Sequence, residues 1–120
     1  MLNDLDTRGK KVYLACGYTD LRYGIDGLAR LVEANFCLSP FEKDQLFLFC
    51  GRRRDRIKGL LWEGDGFLLL YKRLEGGAYR WPRNEEEARL LTEREYRWLM
   101  EGLSLEQKRA VKEVLPKRAN

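Results

Sequence analysis

The segment 52–82 constrains the fold of this chain more than any other part of its sequence. It reads RRRDRIKGLLWEGDGFLLLYKRLEGGAYRWP, in which apolar runs rich in β-forming residues alternate with short glycine turns. The turns Gly64-Asp65-Gly66 and Gly76-Gly77 are typical of β-hairpins. Because connections this short join neighbouring antiparallel strands, the segment predicts an antiparallel β-meander.

Strands are predicted wherever an apolar run is bounded by turn residues. They cover residues 11–15, 46–50, 56–63, 67–74 and 78–81. Residues 88–91 fit either a short strand or a helical turn, and both interpretations stay open. In the run 67–74, alternation places one set of side chains on one face of the sheet and the intervening set on the other. The first set is Leu68, Leu70, Lys72 and Leu74.

Helices are predicted on both sides of the meander. Gly24 favours a start for the first helix just after it, although Thr19 or Asp20 would also suit an N-cap. Capping-box sequences at residues 92–95 and 104–107 predict two short C-terminal helices. The apolar positions that give the first helix its spacing, up to about residue 36, are Leu21, Ile25, Leu28, Leu31 and Val32.

The bulk composition limits the class of protein. A chain of 120 residues with 44% hydrophobic and 35% charged residues predicts one α+β domain over residues 1–120. We expect its ends, 1–10 and 116–120, to be loosely ordered. The longest apolar run, 67–71, is too short to span a bilayer, and the opening residues lack the apolar core of a signal peptide. We therefore expect a cytoplasmic protein without membrane contacts.

Residue types that support catalysis or metal binding are scarce. The three cysteines, at positions 16, 37 and 50, are odd in number and widely spaced, and the chain has no histidine. This pattern fits neither a disulfide framework nor a zinc site. No phosphate-binding glycine loop or nucleophile motif accompanies it. The sequence therefore predicts no cofactor, no metal ligands and no catalytic residues.

Positive charge is concentrated in the predicted sheet. Between Gly51 and Arg83, nine Lys or Arg residues stand against four acidic residues, a local balance of +5, whereas the whole chain carries +4. A localised basic surface is what contact with a phosphate backbone requires. The alternative is that these residues only keep a β-sheet surface soluble.

The candidate nucleic-acid-binding residues are the basic side chains of this region. An arginine guanidinium group can bind two phosphate oxygens at once through parallel hydrogen bonds. Four arginines within five positions repel one another unless an anion is near. In the alternative interpretation, the loop is solvated and Asp55 pairs with a neighbouring arginine. The candidates are Arg52, Arg53, Arg54, Arg56, Lys58, Lys72, Arg73 and Arg80.

Two further constellations are weaker. Aromatic residues beside basic ones can stack nucleic-acid bases, but packing in the core is the favoured interpretation for them here. These residues are Trp62, Tyr71, Tyr79 and Trp81. Glu63 and Asp65, with Lys72 on the next strand, loosely match a metal-dependent nuclease, yet Asp65 between two glycines is better explained as a turn residue.

Several sequence blocks, in order, resemble one known family. They are 16–28 (CGYTDLRYGIDGL), 48–58 (LFCGRRRDRIK), 62–67 (WEGDGF), 71–76 (YKRLEG), 80–82 (RWP) and 99–103 (LMEGL). From about residue 12 to 103, the chain is similar to the small accessory protein, often called TnpB, of IS66-type bacterial insertion sequences. That family is distinct from the RNA-guided nucleases that share the name. Tyr18, Tyr23 and Ala78 depart from its usual pattern.

The resemblance implies an accessory factor of transposition, encoded beside a separate transposase that carries the strand-cutting carboxylates. We expect the basic residues to contact DNA phosphates at the ends of the element, with Trp62 and Trp81 supporting the sheet. The rival hypothesis is an assembly module that binds the transposase without touching DNA. The acidic segment 85–87 and the C-terminal helices would then form its interface.

Overall fold

The computed structural model describes residues 1–83, 88–102 and 104–105. Five strands and two helices follow one another along this part of the chain. In order they are β1 (Lys11–Ala15), α1 (Ile25–Phe36), β2 (Gln45–Cys50), β3 (Arg56–Trp62), β4 (Phe67–Arg73), β5 (Ala88–Leu91) and α2 (Glu93–Met100). The predicted α+β class is confirmed, and four of the five predicted strands lie within one residue of their predicted bounds.

The five strands form one mixed sheet in the order β4-β3-β2-β1-β5. The predicted antiparallel meander holds for β2, β3 and β4, which pair antiparallel through short turns. It does not extend to β1, which pairs parallel with β2. The reason is α1, because a helical crossover between two strands returns the chain to the end of the sheet from which it left. β5 then pairs antiparallel with β1.

The predicted strand at 78–81 is wrong. In place of a strand ladder, the backbone makes isolated hydrogen bonds: Tyr79 N donates to the Arg54 carbonyl (2.7 Å), and the next residue after the segment, Pro82, accepts from Gly17 N (2.8 Å). The aromatic side chains explain the segment's β-like composition, since Tyr79 and Trp81 are buried core residues. The Trp81 indole nitrogen donates to the Ala15 carbonyl (2.8 Å). The open question at 88–91 is decided in favour of a strand, β5.

The sheet is covered on both faces. On one face α1 packs through Leu28 and Val32, both fully buried, against β-strand residues such as Phe47 and Phe49. On the other face α2, the N-terminal segment and the 79–81 region close a second cluster. The alternation predicted for β4 is confirmed, because Leu70 and Leu74 pack on the second cluster whereas Phe67 and Leu69 pack on the first.

α1 starts where the glycine predicted it, with Gly24 as N-cap. Neither Thr19 nor Asp20 caps it. Gly27 permits a close approach, since a Cβ at this position would lie 2.9 Å from the Tyr23 ring. The glycine therefore makes room for a side chain that folds back over the first turn of the helix.

The predicted capping box of α2 is confirmed. The Thr92 hydroxyl accepts from Glu95 N (3.1 Å), and the Glu95 carboxylate accepts from Thr92 N (2.9 Å). The N-terminal segment, expected to be loose, is attached to this helix because Leu2 is buried and its carbonyl accepts a hydrogen bond from the Tyr96 hydroxyl. The second predicted C-terminal helix and the acidic segment 85–87 lie outside the described residues.

No helix within the described ranges has the length and apolar character needed to cross a membrane.

Two leucine truncations test this arrangement of the core. Leu28→Ala removes a side chain with 0% exposure under α1, so the free energy of unfolding should fall by about 2–5 kcal/mol. Leu90→Ala makes the same chemical change at a position 52% exposed on β5, and should cost less than about 0.5 kcal/mol. Urea unfolding followed by circular dichroism measures both. Equal losses would contradict the placement of α1 on the sheet.

Candidate nucleic-acid interface

The arginine loop that follows β2 has a fixed backbone. Gly51 N donates to the Arg56 carbonyl (3.3 Å), and Arg54 N donates to the Gly51 carbonyl (3.1 Å). Arg54 takes a left-handed conformation, with φ +63°. On the outer side, Leu74 N donates to the Asp55 carbonyl (2.6 Å). The loop is thus held by backbone bonds while three arginine side chains, Arg52, Arg53 and Arg54, are exposed.

A concave site lies beside this loop. It is a cavity of about 810 Å³ between the loop, the segment 18–22 that follows β1, and the strands β3 and β4. We call it the cationic cavity, because five basic side chains and one carboxylate, that of Asp20, line it. The basic residues are Arg22, Arg52, Arg53, Arg56 and Lys58.

Two of these five cations are neutralised by carboxylates. Arg22 pairs with Asp20 (2.7 Å between Nη2 and Oδ2), and Arg56 pairs with Asp55 (3.1 Å between Nε and Oδ1). Arginine hydrogen bonds hold the pKa of both carboxyl groups below the ordinary value, that of Asp20 at about 2. Both carboxylates are therefore ionised at neutral pH, and both pairs are formed.

The other three cations keep their charge available. The Arg52 guanidinium donates to the Tyr18 hydroxyl (2.7 Å), and the Lys58 ammonium donates to the Tyr23 carbonyl (2.9 Å). Both acceptors are neutral, so these bonds position the cations without cancelling their charge. Arg53 forms no side-chain hydrogen bond or ion pair with another residue of the described ranges, and it lines the cavity.

Tyrosine rings and leucines complete the walls. The Arg52 guanidinium carbon lies 4.4 Å from the centre of the Tyr18 ring, and the Lys58 nitrogen lies 5.8 Å from that of Tyr71. These distances are within the range of cation–π attraction. Leu21 and Leu69 line the same cavity. The site therefore combines cations with apolar and aromatic surface.

The basic residues predicted to bind nucleic acid do not all lie at one site. The cavity brings together Arg52, Arg53, Arg56 and Lys58, whereas Arg54, Arg73 and Arg80 do not line it. Arg73 is paired with Arg56 in the β3–β4 register and forms an ion pair with Glu75 (3.1 Å). Lys72 belongs to the opposite face of the sheet, where its ammonium donates to the Asn3 side chain (2.6 Å).

Arg83 is a structural residue that the sequence analysis did not place in the site. Its guanidinium donates from Nη2 to the Gly51 carbonyl (2.9 Å) and the Arg52 carbonyl (3.2 Å). Burial lowers the pKa of Arg83, and it also raises the pKa of the nearby Cys50 thiol to about 12, so that thiol stays protonated. Arg83 therefore braces the base of the arginine loop.

Tyr18 and Arg22 also escaped prediction as site residues. Both belong to the block 16–28, which contributed to the family resemblance but indicated no binding site. No local pattern places this block beside the arginine loop. The signal that could have found them is a parallel pairing of β1 and β2, because the carboxyl ends of such strands meet at the same edge of a sheet.

The geometry needed for a metal-dependent nuclease is not formed by Glu63, Asp65 and Lys72. The two acidic residues lie at the β3–β4 turn, whereas Lys72 lies five residues beyond Phe67, the first residue of β4, which is about 17 Å along an extended strand. In the described part of the chain, no three Cys, Asp or Glu residues are grouped as metal ligands.

The predicted aromatic residues are mainly structural. Tyr79 and Trp81 are buried in the core, as the favoured interpretation had it. Trp62 packs edge-to-face on Phe67 at 4.9 Å between ring centres, and on Phe41 at 5.2 Å. Of the four aromatic residues predicted from the sequence, Tyr71 is the one that lines the cationic cavity.

The fold and the cavity define this protein as a small α+β protein with a concave, cationic surface. A family model described as IS66 Orf2 like protein matches residues 10–110. The chain therefore belongs to this family of insertion-sequence accessory proteins.

Two relatives from Sinorhizobium fredii (strain NBRC 101917 / NGR234) are similar to the chain, and both are described as uncharacterized. The protein y4jC is 32% identical over 97 residues, which is 81% of this chain and 82% of the relative. The protein y4hO is 33% identical over 93 residues, which is 78% of this chain and 80% of the relative. No solved structure matches the chain significantly.

The Asp20–Arg22 pair gives a test of the electrostatics of the cavity. In Arg22→Gln the pKa of Asp20 should rise from about 2 towards its ordinary value of 3.8. The hydrogen bonds from the Arg22 guanidinium are the largest cause of the lowered pKa, and the substitution removes them. Arg22 N still donates to Asp20, so part of the lowering remains. Carbon-detected NMR titration of the carboxyl groups measures the change.

The Asp6–Arg8 pair is an internal control for this titration. It has the same sequence spacing and the same bonds, and Asp6 also has a pKa of about 2. This value should not move in Arg22→Gln. An Asp20 pKa unchanged by the substitution would show that the pair is not formed in solution.

Proposed function

We propose that this protein is a non-catalytic accessory factor of DNA transposition that contacts DNA phosphates through the cationic cavity, at the ends of its element. The observation that carries the proposal is the convergence of Arg52, Arg53 and Lys58 on one concave site without carboxylate partners. Membership of the insertion-sequence accessory family supplies the biological setting.

Phosphate is the ligand that best suits these three cations. Each phosphate of a nucleic acid carries one negative charge, and Arg52, Arg53 and Lys58 present both guanidinium forks and a point charge. Bringing such cations together costs free energy through repulsion, which an anion between them offsets. Arg83 and the backbone bonds of the loop hold the groups in place before the ligand arrives.

Chemistry on DNA strands is assigned in this proposal to a separate protein, the transposase of the same element. Within the described residues, the acidic side chains around the cavity are occupied by arginines, and Asp20 and Asp55 serve to balance charge. The protein would then act in the cytoplasm by presenting or organising element ends for the transposase.

A pair of charge-matched triple variants tests the proposal. Replacement of Arg52, Arg53 and Lys58 by glutamine lowers the formal net charge from +4 to +1. Fluorescence anisotropy with a duplex carrying the terminal repeat, across a salt series, measures the effect. The affinity of the wild type should fall steeply as the salt concentration rises. In the triple variant, the slope of log K against log salt concentration should become shallower by about 0.9 for each phosphate contact removed.

The matched control replaces Lys10, Lys11 and Arg94, which do not line the cavity, so the net charge again falls to +1. Its salt dependence should stay close to that of the wild type. Equal losses in both variants would show that net charge, and not the cavity, governs binding. No wild-type binding at low salt would overturn contact with duplex DNA, and a scrambled duplex bound equally well would overturn recognition of element ends.

A second candidate function, transposase binding without DNA contact, is favoured by one observation. Phe41 is 53% exposed and packs against Trp62 and Phe67 at the end of the sheet away from the arginine loop. Exposed aromatic clusters of this kind are common at protein interfaces. Phe41→Ser should then abolish co-purification with the transposase while leaving DNA affinity unchanged.

A further inference from the structure

The cationic cavity has a feature that contact with phosphates alone does not require. Its walls include Leu21 and Leu69 as well as the rings of Tyr18 and Tyr71. A volume of about 810 Å³ falls within the range of pockets that enclose small organic ligands, about 300–1,000 Å³. A duplex presents phosphates and sugars on a convex surface and keeps its bases stacked inside. Such a surface brings phosphates to the cations but has no apolar group to cover the leucines and tyrosine rings.

We propose that the cavity receives an unpaired base, so that the protein binds single-stranded DNA in preference to a blunt duplex. The inference rests on the proposed function, since the same cations, Arg52, Arg53 and Lys58, would hold the phosphates on either side of the base. Single-strand-binding proteins combine these two elements, a cationic groove and aromatic rings on which bases stack.

Tyr71 is the ring best placed to stack a base. It is 54% exposed on β4, with Leu69 on the same face of the strand, two residues before it. The Lys58 ammonium lies 5.8 Å from its centre. Arg56 interacts with the Tyr71 side chain through its hydroxyl group, which leaves a face of the ring for a base. The ring of Tyr18 is more occupied, because the Arg52 guanidinium lies over it at 4.4 Å.

The strand geometry places base and phosphate contacts side by side. Lys58 and Tyr71 are directly paired in the β3–β4 register, and Arg56 lies two residues before Lys58 on the same face. A base stacked on Tyr71 would therefore lie beside the Lys58 ammonium of the neighbouring strand. This spacing suits a nucleotide, whose phosphate and base are joined through one sugar.

Three probes of equal length separate the base from the backbone. They are a single-stranded oligonucleotide of about 10 nucleotides, an abasic oligonucleotide of the same length, and a blunt duplex. The duplex carries twice as many phosphates as either single strand, so phosphate number alone would favour the duplex. Wild-type protein should bind the single strand at least about tenfold more tightly than either of the others. Single-stranded RNA of the same sequence is a fourth arm, and tighter binding to it than to DNA would overturn the assignment of DNA as the ligand.

Substitutions at Tyr71 identify the stacking surface. Tyr71→Ala should weaken binding of the single strand by about 5- to 100-fold, the effect of losing one stacked base, and leave abasic binding unchanged. Tyr71→Phe retains the ring and should restore affinity. Phe41→Ala removes an aromatic side chain of matching exposure outside the cavity and serves as the control. Thermal unfolding confirms that each variant is folded.

The outcomes distinguish this inference from the proposed function. Equal affinity for abasic and normal strands, or no effect of Tyr71→Ala, would overturn the base pocket and leave phosphate contact intact. Tighter binding of the blunt duplex would do the same. If no probe binds at low salt, the proposed DNA contact itself fails, and the base pocket fails with it.

Discussion

The parallel pairing of β1 with β2 is the constraint on which the rest of the structure depends. α1 carries the chain across the sheet between these strands, so both strands end at the same edge. The segments that leave that edge are therefore neighbours, and Thr19 N donates to the Cys50 carbonyl (2.8 Å). Without this pairing, the segment 18–22 and the arginine loop would not form two walls of one cavity.

The electrostatics of the cavity follow from which oxygen atoms accept from each cation. Arg22 and Arg56 donate to carboxylates and are neutralised, whereas Arg52 and Lys58 donate to a phenol and a carbonyl. The first pair is neutralised by its partners, and the second pair is positioned but retains its charge. The accepting oxygen, and not the residue type, thus decides which charge stays available.

Much of the fold was predictable because its signals are local. Glycine turns fixed the β3–β4 hairpin, the capping box at Thr92 fixed the start of α2, and alternation assigned the faces of β4. The 78–81 segment was mispredicted because its aromatics, buried for reasons of core packing, give the same composition as a strand. The aromatic composition of such a segment indicates that its side chains are buried. It does not show whether the backbone forms a ladder of hydrogen bonds or only isolated ones.

The sequence by itself determined which residues are cationic, where the turns and caps fall, and that positive charge is concentrated between Gly51 and Arg83. The tertiary structure decided which of those cations lie together in one cavity. It separated Lys72 onto the opposite face and added Tyr18 and Arg22 from a distant segment. The physical reason is that charge and turn preference are properties of single residues and short segments. Strand order, by contrast, is set by the packing of α1 against the whole sheet.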